Sequence, residues 1–91
     1  MDELSMSDAK GVWSKIVTKI LKAELAKRDI DYPTLVAKLN EIDVNISIED
    51  LRGRMSRGTF SAILFVQCLK AIGVSNLFLE ESYFEQLKAS N

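Results

Sequence analysis

Ninety-one residues, 47% hydrophobic and 27% charged, suffice for one small domain with a modest core and lack the charge excess of a disordered chain. A formal net charge of -1 excludes a protein that coats nucleic acid through bulk charge, so any such binding has to be local. One cysteine and no histidine exclude an internal disulfide and remove the commonest general base and metal ligand, so no catalytic residues, metal site or cofactor are expected.

Residues 1–11 are polar and acidic, lack the basic start and apolar run of a leader, and read as a flexible N-terminal segment. No stretch approaches the roughly 20 apolar residues of a membrane span, and with a single cysteine the expected compartment is the reducing cytoplasm. Val12, Trp13, Ile16, Val17, Ile20, Leu21 and Leu25 then form a wide apolar stripe, which predicts a long first helix with Trp13 and Ile20 in the core. Lys15, Lys19 and Lys22 recur at spacings that put them on one helix face, read first as a solvated surface. Lys27 and Arg28 sit where the helix dipole favours cations. Residues 29–31 break the pattern. Asp31 as N-cap and Pro33 in the first turn predict a second helix from Tyr32 to about Leu39, burying Leu35, Val36 and Leu39. Residues 40–45 read as an extended turn.

Ser47 with Asp50 three residues on matches a capping box, and Ile46 with Leu51 supplies its hydrophobic staple, so a third helix starts at Ile48 and ends at Gly58. Ile48, Leu51 and Met55 share its inner side, Glu49, Gly53 and Arg57 point the opposite way, and Asp50, Arg52 and Arg54 lie on the flanks. From residue 52 to 79 the charged residues are Arg52, Arg54, Arg57 and Lys70, all basic. Thr59 or Ser61 caps a fourth helix whose Phe60, Ile63, Leu64, Phe65, Val66, Cys68, Leu69 and Ile72 make it apolar nearly all round, which predicts a central place for it; Gly73 stops it. Cys68 reads as a small buried hydrophobe. Residues 76–79 are extended or enter a fifth helix in which Tyr83, Phe84 and Leu87 form a short stripe up to about Lys88. The sum is an all-α bundle of four to five helices with a possible short extended segment at 76–79. Residues 12–74 form its domain, and residues 75–91 form a C-terminal segment or helix suited to dimerisation.

Leu25-Ala26-Lys27-Arg28-Asp29-Ile30, followed by Asp31-Tyr32-Pro33-Thr34-Leu35-Val36, resembles the entry of repressor-type helix-turn-helix domains of phage and bacterial regulators, the repressor/Cro-like (XRE-type) superfamily. Arg57-Gly58 and Ala71-Ile72-Gly73-Val74 resemble the glycine after the recognition helix and the close of helix 4 in those domains. Ser56-Arg57-Gly58-Thr59-Phe60-Ser61 and Gln67-Cys68-Leu69-Lys70-Ala71-Ile72-Gly73 are similar to a small bacterial family of uncharacterised domains usually placed in that superfamily, the likeness covering residues 13–74. The chain departs from the pattern at residues 40–46, a longer connection with Asp43 where glycine is usual, at Glu49 and Asp50, which open the third helix with negative charge, and at Ser56, where glutamate is usual.

The resemblance implies a lambda-repressor-like fold and a sequence-specific DNA-binding domain of a small bacterial or phage-type regulator, dimeric on two half-sites of duplex DNA. On that reading Arg57 is the foremost candidate for a base edge or phosphate, Arg52 and Arg54 flank it as phosphate ligands, and Tyr32, Lys38 and Ser47 are positioning donors. Glu49, Gly53 and Thr59 complete the surface, Gly53 by allowing close approach to the groove. Phe78, Tyr83, Phe84 and Leu87 are the candidate homodimer seam. The competing expectation is a protein-interaction module on the same fold without DNA binding, supported by the acidic balance, the Glu49/Asp50 pair and the aromatic tail. Neither a membrane nor a small-molecule substrate is expected as a partner.

Overall fold

Local capping sets the helix boundaries. In the computed structural model, which describes residues 3–85 and 87, the elements are α1 (Glu3–Lys27), α2 (Tyr32–Glu41), α3 (Ile48–Arg57), α4 (Ala62–Ala71) and a 3-10 turn (Glu81–Phe84). No strand occurs among the described residues. Asp31, Ser47 and Ser61 hold extended backbone, and their side-chain oxygens accept the backbone N–H of Thr34 (2.9 Å), Asp50 (3.0 Å) and Leu64 (3.0 Å). Ser61, not Thr59, is therefore the cap of α4. At Ser47 half of the capping box is made, because the Asp50 carboxylate turns instead to Arg54.

All four helices stop in the same way. Asp29, Asp43, Gly58 and Gly73 take left-handed backbone, with φ of 56°, 65°, 66° and 83°. The N–H of the next residue then bonds back to a carbonyl five positions earlier: Ile30 to Leu25, Val44 to Leu39, Thr59 to Arg54 and Val74 to Leu69, at 2.9 to 3.1 Å. This is the Schellman arrangement, which satisfies carbonyls left open at a helix end. Asp43, a departure in sequence, thus adopts the geometry expected of the glycine it stands in for, aspartate being one of the few residues that tolerate it. Ile30, Val44 and Val74, each following a turn residue, pack on the core.

The core has two parts. The larger joins Leu21 and Leu25 of α1 to Leu35, Leu39, Leu51, Met55, Leu64, Cys68 and Ile72. The smaller is Ile16, Ile20 and Tyr83, with Val12, Leu77, Phe84 and Leu87 packed around it, and Phe65 touches both parts. Burial pushes the Cys68 thiol up to about 11, so at neutral pH it is protonated and acts as a small apolar side chain.

Several expectations need correction. The helix begins at Glu3, so the polar residues before Val12 continue α1 instead of preceding it; residues 1 and 2 lie outside the described residues. Trp13 is 47% exposed and meets Phe84 edge-on at 6.2 Å, because α2, α3 and α4 cover only the C-terminal part of the α1 stripe and the 3-10 turn covers the rest incompletely. α4 is not central: it buries Leu64 and Cys68 while Ile63 and Val66 face outward. Apolar character all round did not imply enclosure, since α4 packs chiefly on α2, from one side. α2 runs past Leu39 to Glu41, residues 76–79 form neither helix nor strand, and the expected fifth helix begins as the 3-10 turn. Residues 85 and 87 are helical, and the expected end at Lys88 lies outside the described residues.

One charged side chain among the described residues is enclosed. Glu24 is 3% exposed and accepts hydrogen bonds from Arg28 (2.7 Å) and Lys27 (3.2 Å). Burial raises its pKa, but the bonds from Arg28 and Lys27 outweigh burial and hold the carboxyl below its usual 4.5. A depressed folded-state value means that its contribution to stability is complete above the unfolded carboxyl's pKa and is lost as pH falls through the folded one. Glu24→Gln should therefore cost about 1 to 3 kcal/mol near pH 7 and make acid unfolding shallower below pH ~4.5. Urea unfolding across pH 2 to 7 measures both effects; a variant that loses stability to acid as steeply as the parent would contradict this role for Glu24.

Candidate nucleic-acid interface

At about 100° per residue, the polar side of α3 splits into two flanks. Asp50 and Arg54 turn toward Ser61 and Leu64 at the start of α4. Arg52, Ser56 and Arg57 turn toward α1, where a hydrogen bond from the Thr18 hydroxyl to the Met55 carbonyl (3.0 Å) holds the two helices together. Below that bond the end of α3 comes closer still. A Cβ built on Gly58 would lie 2.3 Å from the Ser14 carbonyl oxygen, so this contact admits only glycine.

Between α1 and α3 lies an open cleft of about 470 Å³. Lys15 and Lys22 enter it from α1, Arg52 and Arg57 from α3. Ser14, Thr18, Tyr32 and Ser56 add hydroxyl groups, and none of the described residues lining it is acidic. The four cations have no ion-pair partner among the described residues, whose salt bridges involve only Glu24 with Lys27 and Arg28, and Asp50 with Arg54. Arg52 lies over the Tyr32 ring, 5.7 Å from its centre, which fixes the guanidinium plane without neutralising it. The Arg57 guanidinium folds over Gly53, where an added Cβ would sit 3.0 Å from its Nη1. The missing side chain at Gly53 thus makes room for the Arg57 guanidinium. Such a cleft offers unpaired cations and hydroxyl donors to successive oxyanions, which is how phosphate chains are held.

The model of the family described as Domain of unknown function (DUF6471) matches residues 13–77. The chain belongs to this family. No curated protein and no solved structure matches it. The DUF6471 span contains α2, α3, α4 and α1 from Trp13 onward, and with them every residue of the cleft; Tyr83 and Phe84 lie beyond it.

Of the residues singled out from the sequence, Tyr32, Arg52 and Arg57 line the cleft within the DUF6471 span, with Gly53 directly beneath the Arg57 guanidinium. The others are placed elsewhere. Arg54 donates to Asp50 (3.2 Å) and to the Thr59 carbonyl (3.4 Å), a pair too exposed to stabilise the fold much but sufficient to turn this arginine away. Ser47 accepts the Asp50 N–H as a cap, Lys38 is half-buried on α2, and Glu49 and Thr59 are exposed outside the cleft lining. Lys15 and Lys22 were read as solvated surface. Ser14 and Thr18, small hydroxyl residues between these lysines and the apolar stripe, are the signal that another element approaches there.

The expected dimer seam is largely used within the chain. Tyr83 is 6% exposed on Ile16 and Ile20, Phe84 meets Trp13, and Leu87 packs on the same cluster. Only Phe78 of the four faces outward. The physical reason is the length of α1, whose upper stripe would otherwise be bare.

Proposed function

We propose that the protein binds duplex DNA through the α1–α3 cleft, as a small sequence-specific regulator of the repressor-like helix-turn-helix kind. The observation that carries this reading is the convergence of Lys15, Lys22, Arg52 and Arg57, from two helices far apart in sequence, without an ion-pair partner for any of them among the described residues. Two further features support it. α2 and α3 pack on each other through Leu35, Leu39, Leu51 and Met55, so they form one rigid unit, and the turn between them bends at Asp43 in left-handed backbone. In this arrangement Arg57 and Arg52 engage phosphates or base edges, while Lys15 and Lys22 engage phosphates from the side of α1.

Selection from a random duplex pool, followed by fluorescence anisotropy on the enriched sequence, tests the reading. Affinity should fall with salt, with a logarithmic slope of about -0.9 for each phosphate contacted. Arg57→Ala should weaken binding about tenfold and flatten the slope by about one contact, whereas Arg54→Ala, on the opposite flank of the same helix, should change it little. Binding that ignores salt and is equally sensitive to both arginines would refute the cleft as the interface. If no sequence is enriched at low salt, the competing reading takes its place: a module that docks an acidic protein segment in the same cleft.

A further inference from the structure

Outside the cleft, two of the apolar surfaces left bare among the described residues are more exposed than Trp13 or Ile42. On α4, Ala62, Ile63, Val66 and Lys70 fall within one arc of the helix, opposite the arc that buries Leu64 and Cys68. Ile63 is 71% exposed and Val66 61%. The second surface is the segment at 76–79, where Phe78 is 71% exposed and Leu79 53%. Leu77 beside it is held on the small cluster of α1 and Val74 on the large core, so the segment is anchored at a fixed place and Phe78 does not fold back onto its own helix.

Charge relates the two surfaces. α4 carries one charged residue, Lys70, and no acid, while Glu81 follows Phe78 by three residues. Both are exposed, and neither has an ion-pair partner among the described residues. Each surface thus sets an exposed apolar pair near one exposed charge, and the two charges are of opposite sign.

We propose that a second copy of this chain covers the α4 face. The segment at 76–79 of one protomer lies along Ile63 and Val66 of its partner, with Glu81 beside the partner's Lys70, and the reciprocal contact is made about a two-fold axis. Each copy carries both halves of the contact, so the assembly closes as a dimer and leaves neither surface open.

Sedimentation of the full chain without DNA at high micromolar concentration should show a dimer. Ile63→Ser should make it monomeric with an unchanged far-ultraviolet spectrum, because that side chain is outside the core. Lys70→Glu alone and Glu81→Lys alone should each weaken the dimer roughly tenfold or more, by placing like charges together. An equimolar mixture of those two variants should recover parental affinity, since in the mixed dimer both reciprocal contacts regain opposite charges. A pairing within one chain could not be rescued by mixing. A monomeric parent overturns the proposal, as does a dimer indifferent to Ile63→Ser, or a mixture no tighter than its components.

Discussion

Gly58→Ala should destabilise the fold by about 2 to 5 kcal/mol, the larger part arising from a contact and not from the backbone. The left-handed conformation at φ 66° alone costs an L side chain about 1 to 2 kcal/mol. The added methyl would also meet the Ser14 carbonyl at 2.3 Å, and that oxygen belongs to α1 backbone, which cannot swing aside as a side-chain end could. Either α3 withdraws from α1, straining the Thr18 to Met55 bond, or the Schellman turn at Arg54 opens. Gly73 provides the internal control. It has φ 83° but open space where a Cβ would go, so Gly73→Ala should incur the conformational cost only. Urea unfolding followed by circular dichroism compares the two, and equal losses would show that the Ser14 contact is not tight.

Leu51→Ala should cost about 3 to 5 kcal/mol, a large fraction of the stability of a domain this small. Leu51 is fully buried, and with Met55 it is all that α3 commits to the core, Ile48 being half-buried outside the core cluster and the other positions polar or glycine. Truncation leaves a cavity bounded by α2 and by the other leucines, and a helix with one remaining anchor has little else to hold it. Ile63→Ala, equally conservative in chemistry but on the outer arc of α4, should stay within about 0.5 kcal/mol of the parent when both are measured dilute enough to be monomeric. The same urea measurement reads both; a Leu51→Ala loss below about 1 kcal/mol would mean that α3 is not seated through this residue.

Helix boundaries set by a cap were legible in the sequence because caps act over a few residues, whereas the uncapped start of α1 was not. Asp31, Ser47, Gly58 and Gly73 each perform the role their neighbours imply, and the choice between Thr59 and Ser61 was the sole ambiguity at the start of α4. Burial was less legible where it depends on distant partners. Trp13 and Ile63 have the spacing of core residues, but whether such a stripe is covered depends on how far the other helices reach. Tyr83 failed the opposite way: an aromatic near the chain end looked unpartnered until α1 was found to need it. The candidate site was half legible. Arg52 and Arg57 were visible on a capped polar helix, but their companions Lys15 and Lys22 come from α1, and periodicity along one helix carries no information about which other helix lies against it. The opposite assignment of Arg54 turned on one rotamer, set by Asp50.

Lys15, Lys22, Arg52 and Arg57 are gathered by contacts indifferent to charge: a threonine hydroxyl on a carbonyl, and a glycine backbone against a serine. Their convergence therefore carries a repulsion that unfolding would relieve, since the denatured chain lets the two cationic segments drift apart. Any anion that settles among them removes that repulsion and, by mass action, favours the folded state. A melting temperature measured for this chain is thus a reading of the buffer's anions as well as of its leucines.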